Sequence, residues 1–420
     1  MLSAQTATGP DQTKPGAGNA QAAATALASP MVQAAYQFLQ REVNRIQDYG
    51  TRLLTTDAIE NPNVCVYSRA NLTAAQKSTI LQNLISQGLI NPPDAGSING
   101  GALAGVFPPL QNDGTACPNL PVPWYTGPGG TNATGHHSFP GGLMVHETAN
   151  LNHALSFADD YRNVYGQSIN GFPVPSPSDD GPRDPDSDVF INQDWMIAAP
   201  IWHDWAKPFV FQWNADGTEF IELNFGGNGT TDSWGQAGDS RTGAHHLLTI
   251  AEMMARHLSP ELIITMASAH NTPTNGGEYK VVNWIRTGAI LAQVDPVASG
   301  YLVKDTAGNL RLPAFRQIGS IDLLQGSSQA HTNSLPEYVL HNLSDSDFTL
   351  TGPAVIEVSS VLANVGPMFG FNPSDPSYTA KFRNEVLANI PAERLLLLYA
   401  NGGTNAVFTA INQVKANIGK

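Results

Sequence analysis

The chain has 420 residues, 41% of them hydrophobic but only 13% charged, about half the usual charged share. Its formal net charge of −14, from 21 Lys+Arg against 35 Asp+Glu, offers no basic stripe of the kind a polynucleotide partner needs, so nucleic-acid binding is disfavoured and a small anionic substrate is not. No segment reaches the roughly 18–20 apolar residues of a membrane-crossing helix, so no membrane span is expected.

Residues 1–29 are rich in Ala, Gln, Thr, Gly and Pro and lack the apolar stretch of a signal peptide. They read as a disordered leader of the kind left behind a removed signal. Low charge and many Gly, Pro and Asn residues fit a periplasmic or secreted bacterial protein. In that compartment a Cys65–Cys117 disulfide would persist; two buried free thiols are the alternative.

Residues 30–135 read as an N-terminal extension of helices and loops. Val32, Ala35, Phe38, Leu39 and Val43 share one face of a helix predicted over 31–49. A second is predicted over 72–89, with Asn71 or Thr73 as cap and Gly88 near its end. Residues 91–134 form a long Gly/Pro/Asn-rich connection.

The chemistry begins at His136. The run His136-His137-Ser138-Phe139-Pro140-Gly141-Gly142-Leu143-Met144-Val145-His146 leads into a helix reaching about Tyr165. A Pro/Ser/Asp-rich loop over 173–188 precedes a helix over 192–205. That helix carries the apolar run 195–202 and ends in His203-Asp204, with Lys207 three residues on. Residues 209–213 and 218–223, joined by Asn214-Ala215-Asp216-Gly217, read as a β-hairpin. A Gly-rich loop over 226–243 follows. Helices are then predicted over 244–258, 260–269 (Ser259 cap, Pro260, Glu261) and 278–295. The remainder, 301–420, reads as a C-terminal helical extension packed on the core, with helices over 354–365, 378–388, 392–399 and 405–418 and no chemical motif.

Helical faces sort the candidate ligands. On the helix after Gly243, His246 borders the stripe Leu247, Ile250, Ala251, Met254 and Leu258. His245 instead shares a line with Thr249, Glu252 and Arg256, read as solvent-facing. His246 is therefore the expected ligand and His245 a bystander. His270 ends the stripe Ile263, Met266, Ala267. Asp295 ends the stripe Trp284, Gly288, Leu291, where an unpaired acid would be costly unless metal-bound. Imidazoles and a shared carboxylate are the donors a divalent transition metal uses. The expected metal set is His146, His203, Asp204, His246, His270 and Asp295. Lys207 is expected to contact an anion, and Arg241 to be a second such contact. His153 is placed to face the same cavity, His257 reads as surface, and His136 and His137 read either as substrate contacts or as loop structure.

The order H…HD…H…H…D, with the stretches HHSFPGGLMVH, AAPIWHDWAKP, HHLLTIAEMM, ASAHN and AQVDPVA, resembles the HD-domain superfamily of metal-dependent phosphohydrolases. It lies nearest the subgroup that includes HD-domain 3′–5′ exoribonucleases and the HD portions of some relaxase-like proteins. The likeness covers about 136–300, which is the expected metal-binding catalytic core. Trp205-Ala206 after the doublet, Asn271 in place of a frequent second His and the long Gly-rich insertion depart from the pattern. The resemblance implies a mainly α protein, an orthogonal helical bundle carrying a small β-hairpin insertion and extra flanking helices. It implies His146, His203, Asp204 and Asp295 on one metal, and Asp204 bridging to a second held by His246 and His270, the metals being two of Fe, Mn, Co or Zn. A metal-activated water would attack phosphorus, with Lys207 offsetting developing charge. The same ligand set suits a di-iron oxygenase of HD type or an exported binding protein with a structural metal site.

Overall fold

A computed structural model describes residues 16–63, 72–96, 98, 100–108, 123–130, 135–166, 189–219, 222–225, 240–274, 276–315 and 335–418. The described protein is mainly helical. Its helices are α1 (Asn19–Ala28), α2 (Pro30–Val43), α3 (Tyr49–Glu60), α4 (Ala74–Ser86), α5 (Gly101–Val106), α6 (Gly142–Tyr165), α7 (Gln193–His203), α8 (Lys207–Val210), α9 (Ala244–Ala255), α10 (Pro260–Ala267), α11 (Glu278–Ala292), α12 (Pro336–Ser344), α13 (Phe348–Val365), α14 (Asn384–Asn389) and α15 (Ala392–Val414). Two small antiparallel pairs complete it: β1 (Asn224–Phe225) with β2 (Thr242–Gly243), and β3 (Val303–Lys304) with β4 (Leu310–Arg311).

Sequence explains several helix starts. Ser29 accepts from Val32 N at 3.0 Å and Pro30 opens α2. Thr73 and Gln76 form a reciprocal capping box on α4. Ser259 accepts from Leu262 N ahead of Pro260. The helix predicted over 31–49 stops at Val43, and a second, α3, begins at Tyr49, where Asp48 caps it through Thr51 N at 2.7 Å. The Asp194 carboxylate accepts from Gln47 N and Asp48 N, both at 2.8 Å, and pins that corner to α7.

The main core runs from Val32 and Leu39 on α2 through Trp202 and Trp205 to Ile250, Ile263, Ile285 and Tyr338. Helices α9 and α11 cross closely because Gly288 has no side chain: a Cβ there would lie 2.3 Å from Ile250 Cγ2. A second core under the C-terminal helices joins Val358, Leu362, Phe382 and Val407, and Phe139 from the histidine-bearing turn plugs into it.

Several expectations are corrected. Part of the expected leader is ordered: α1 packs on α2 and on the 124–126 turn. The expected first hairpin strand starts instead as the helical turn α8, since Lys207 N and Phe211 N bond back to Asp204 O and Lys207 O. Among the described residues of that hairpin its turn is present, with Gly217 at φ 86° and one isolated bridge, Trp213 to Glu219. Residues 379–383 form one π-helical turn before α14, and Gly403 (φ 61°, ψ −160°) breaks α15. Cys65, Cys117 and the loop over 173–188 lie outside the described residues. One stretch, Pro336–Phe369, has the length and mean hydropathy (1.3) of a membrane helix. It is interrupted between α12 and α13, where Asp345 is buried in the protein, so no clear span results.

Candidate metal centre

Helix α7 delivers the His-Asp doublet to the middle of the molecule. Asn192 caps it through Asp194 N and Trp195 N, and the Glu337 carboxylate on α12 accepts from Asn192 N at 2.6 Å. Every residue from Met196 to Asp204 is buried, as expected of a helix apolar all round. Trp202 Nε1 donates to Thr55 Oγ1 (3.0 Å) and Trp205 Nε1 to Ala58 O (2.7 Å), which fixes the doublet against α3.

Asp204 is the hub. Its Oδ2 lies 3.4 Å from His146 Nε2, 3.4 Å from His203 Nε2 and against Lys207 Nζ. Its Oδ1 lies 3.1 Å from His245 Nε2. Asp345, in the turn after α12, sets Oδ1 3.1 Å from His146 Nε2 and 3.2 Å from His203 Nε2. Three donor groups each lie within a 4.8 Å spread: His146/His203/Asp204, His203/His270/Asp345 and Asp204/His245/His270.

The histidines are oriented by what holds their other ring nitrogen. His146 Nδ1 meets Asp347 Oδ1 at 2.9 Å, and His203 Nδ1 meets Pro200 O at 2.7 Å. His245 Nδ1 meets Glu222 Oε2 at 2.7 Å, and His270 Nδ1 meets Thr242 Oγ1 at 2.7 Å. With Nδ1 donating outward, each Nε2 lone pair is left for the centre, the usual outer-partner arrangement of metal-binding imidazoles. Both oxygens of Asp204 and Nε2 of His245 are buried and make ion-pair contacts, yet complete no well-formed hydrogen bond. A buried donor set left this way is costly unless a cation fills it, so the residues fit a metal.

The electrostatics fit the same arrangement. Burial pushes Asp204 up, but His203 and Lys207 outweigh it and hold the carboxyl well below its ordinary value. Burial likewise opposes ionisation of Asp345, and His203 and His146 overcome it. Burial pushes His203 down, but Asp204, Glu147 and Asp345 raise it to about 9. Glu147, fully buried, is raised to about 8 mainly by that burial.

Of the residues singled out from sequence, the structure brings together His146, His203, Asp204, His270 and Lys207. Arg241 lies on the cavity rim, paired with Asp94 at 3.1 Å. Two assignments are corrected. Asp295 is exposed and outside the cluster: Gln293 turns left-handed (φ 59°) and ends α11 at Ala292, and Asp295 then accepts from Val297 N and Ala298 N. His246 is buried but stacks on His270 (4.2 Å between centroids) and touches Trp284, while His245 takes the place beside Asp204. The line read as solvent-facing is a packed polar face. Thr249 accepts from Ala206 N, and Glu252 pairs with Arg256 beneath Trp202 and Trp205. His153 is exposed and reaches Ser344 O, and His257 is on the surface.

Sequence reasoning missed Asp345, Asp347, Glu222 and Thr242. The available signal was His341-x-x-x-Asp345 behind Pro336 and Glu337, one turn of helix with a helix-start signature. A cavity of about 540 Å³ opens on the cluster. His136, His146, His203, Asp204, Lys207, His245, His270 and Asp345 line its polar side, and Asn342, Leu343, Ser346 and Phe348 its outer wall. Scans against protein-family models, curated proteins and solved structures each return no match.

Proposed function

We propose that the protein is a metal-dependent hydrolase of a phosphoester or nucleotide-like small molecule, with a dinuclear centre of the HD-domain kind. The observation that carries this reading is Asp204, whose two oxygens face separate histidine sets. His146, His203 and Asp345 would hold one metal on the Oδ2 side, and His245 and His270 the other on the Oδ1 side. Bound there, two Fe, Mn, Co or Zn ions would supply Lewis acidity and a water acidic enough to act as nucleophile near neutral pH. The chain's own part is to fix the imidazoles through Asp347, Pro200, Glu222 and Thr242, and to keep bulk water from the buried side of the cluster. Lys207, at 3% exposure on the cavity wall, would balance negative charge on a phosphoryl oxygen, with Arg241 at the rim. A cavity of about 540 Å³ suits a mononucleotide-sized molecule rather than a polymer. Periplasmic or secreted residence belongs to the same proposal.

The test is elemental analysis followed by phosphate release from a panel of phosphomonoesters and diesters, with the protein loaded in turn with Mn, Fe, Co or Zn. About two metals per chain and metal-dependent release support the reading. Two irons with oxygen consumption and no phosphate release would replace it with the oxygenase; tight metal without either activity would replace it with the binding protein.

A further inference from the structure

Beside the Asp204 cluster lies a second group of donors, His136, His137, His146 and Asp347, of which the hydrolase reading uses only His146, as a ligand, and Asp347 Oδ1, to orient it. His137 is 3% exposed, and its Nδ1 has no hydrogen-bond partner; His136 Nδ1 is likewise buried without one. The two rings stand edge to face with centroids 5.9 Å apart.

His137 is held there at a conformational cost. Its φ is 47°, a left-handed conformation that non-glycine residues seldom adopt. The turn is locked around it: Gly129 N and Phe139 N both donate to His137 O, and a Cβ on Gly142 would lie 1.9 Å from that oxygen. The HHSFPGG run thus holds two imidazoles at a fixed place ahead of α6, His136 on the cavity wall and His137 buried behind it.

Asp347 supplies the carboxylate. Its Oδ1 is taken by His146 Nδ1, which leaves Oδ2, 3.9 Å from His137 Nδ1. Two ligands bound at about 2.1 Å to one ion lie at most about 4.2 Å apart, so this pair already has first-sphere spacing. Glu393 Oε1, 3.7 Å from His137 Nε2, steadies the far side of the ring and leaves Nδ1 for an ion.

We propose that His136, His137 and Asp347 form a third cation site, for a single divalent transition metal such as Zn²⁺, joined to the main centre through the Asp347–His146 contact. It opens to the cavity on the His136 side, where an ion would meet an anionic group of whatever the cavity binds. This site stands whether or not the main centre hydrolyses phosphoesters.

The experiment is titration of the chelator-stripped full-length protein with Zn²⁺, with bound metal counted after desalting. The variant is His137→Asn, because asparagine tolerates the left-handed backbone and removes the imidazole. Three equivalents in the unaltered protein and two in the variant are expected, with circular dichroism unchanged. His136→Gln should also bind two. Anomalous scattering from Zn²⁺-soaked crystals of the unaltered protein gives an answer independent of any variant: a peak is expected between His137 Nδ1 and Asp347 Oδ2. Two equivalents in the unaltered protein, or no such peak, overturn the third site and leave the dinuclear centre intact. Three retained in His137→Asn, or more than one lost, overturn it as well. No zinc at all overturns both.

Discussion

His245 Nε2 lies 3.1 Å from Asp204 Oδ1 while His245 Nδ1 bonds Glu222 Oε2 at 2.7 Å. The carboxylate–imidazole–carboxylate line makes His245, rather than His246, the member of the pair that serves the cluster. His245→Ala should lower bound metal by about one equivalent, and His246→Ala should leave the count unchanged while loosening the stack on His270. Glu222→Gln keeps the shape but weakens the outer hold on the ring, and should cost about 10–100-fold in metal affinity. Competition against a chelator of known affinity reads all three; equal losses from both alanine variants would sink the assignment.

Asp204→Ala removes the carboxylate that sets Oδ2 3.4 Å from His146 and His203 and Oδ1 3.1 Å from His245. Asp345 still faces His146 and His203, and Glu222 still holds His245, but the carboxylate shared between them is gone, so most bound metal should be lost, and with it any turnover. Asp345→Asn should lose metal in part. Asp295→Asn, altered at an exposed turn after α11, should keep the full complement. The comparison of Asp345 with Asp295 by elemental analysis decides between the structure and the stripe argument drawn from sequence.

Helical stripes mislead at Asp295 and at His246, for reasons visible in particular residues. A stripe extrapolates a straight helix, and α11 stops at Ala292 because Gln293 turns left-handed, which periodicity does not register. On α9 the argument assumed one wet face. All of Ala244 to Met254 is buried, the polar line Thr249–Glu252–Arg256 being packed under two tryptophans. His146, His203, Asp204 and His270 were legible because local patterns carry them: a glycine turn, an apolar helix end and an inward stripe. Asp345 and Asp347 were not, because they follow a short helix, α12, whose role depends on packing against α6 and α7 far away in sequence. Mainly helical architecture was legible from period alone; the stop of α2 at Val43 and the start of α3 at Tyr49 were not, since that corner rests on Asp48 and the distant Asp194.

Lys207 tests the chemistry apart from the metal. Its Nζ contacts Asp204 Oδ2 and donates to Gly129 O, at the wall of the cavity. Lys207→Met keeps most of the volume and removes the charge. Metal content should stay within one equivalent of normal, while kcat for phosphate release should fall by about 10²–10³, the usual effect of deleting one group that meets developing negative charge. Unchanged kcat with intact metal content would show that the lysine serves only to neutralise Asp204.

The pH dependence of stability in the metal-free protein follows from two buried groups. His203 is raised from 6.5 to about 9, by Asp204, Glu147 and Asp345 against its burial. Glu147 is raised from 4.5 to about 8, mainly by burial. Both hold a proton in the folded state that the unfolded chain would release at lower pH. Each therefore contributes stability that is complete below its unfolded value and is lost as pH rises through its folded value. Melting temperature of the chelator-stripped protein should fall from about pH 7 to pH 9. Metal must displace the His203 proton, so binding should release protons and grow tighter with rising pH over the same window. Calorimetry of metal binding in two buffers of different ionisation enthalpy measures the release directly. A metal-free melting curve that stays flat between pH 7 and 9, with no proton release on binding, would show that His203 carries no extra proton and that the cluster is already neutral before metal arrives.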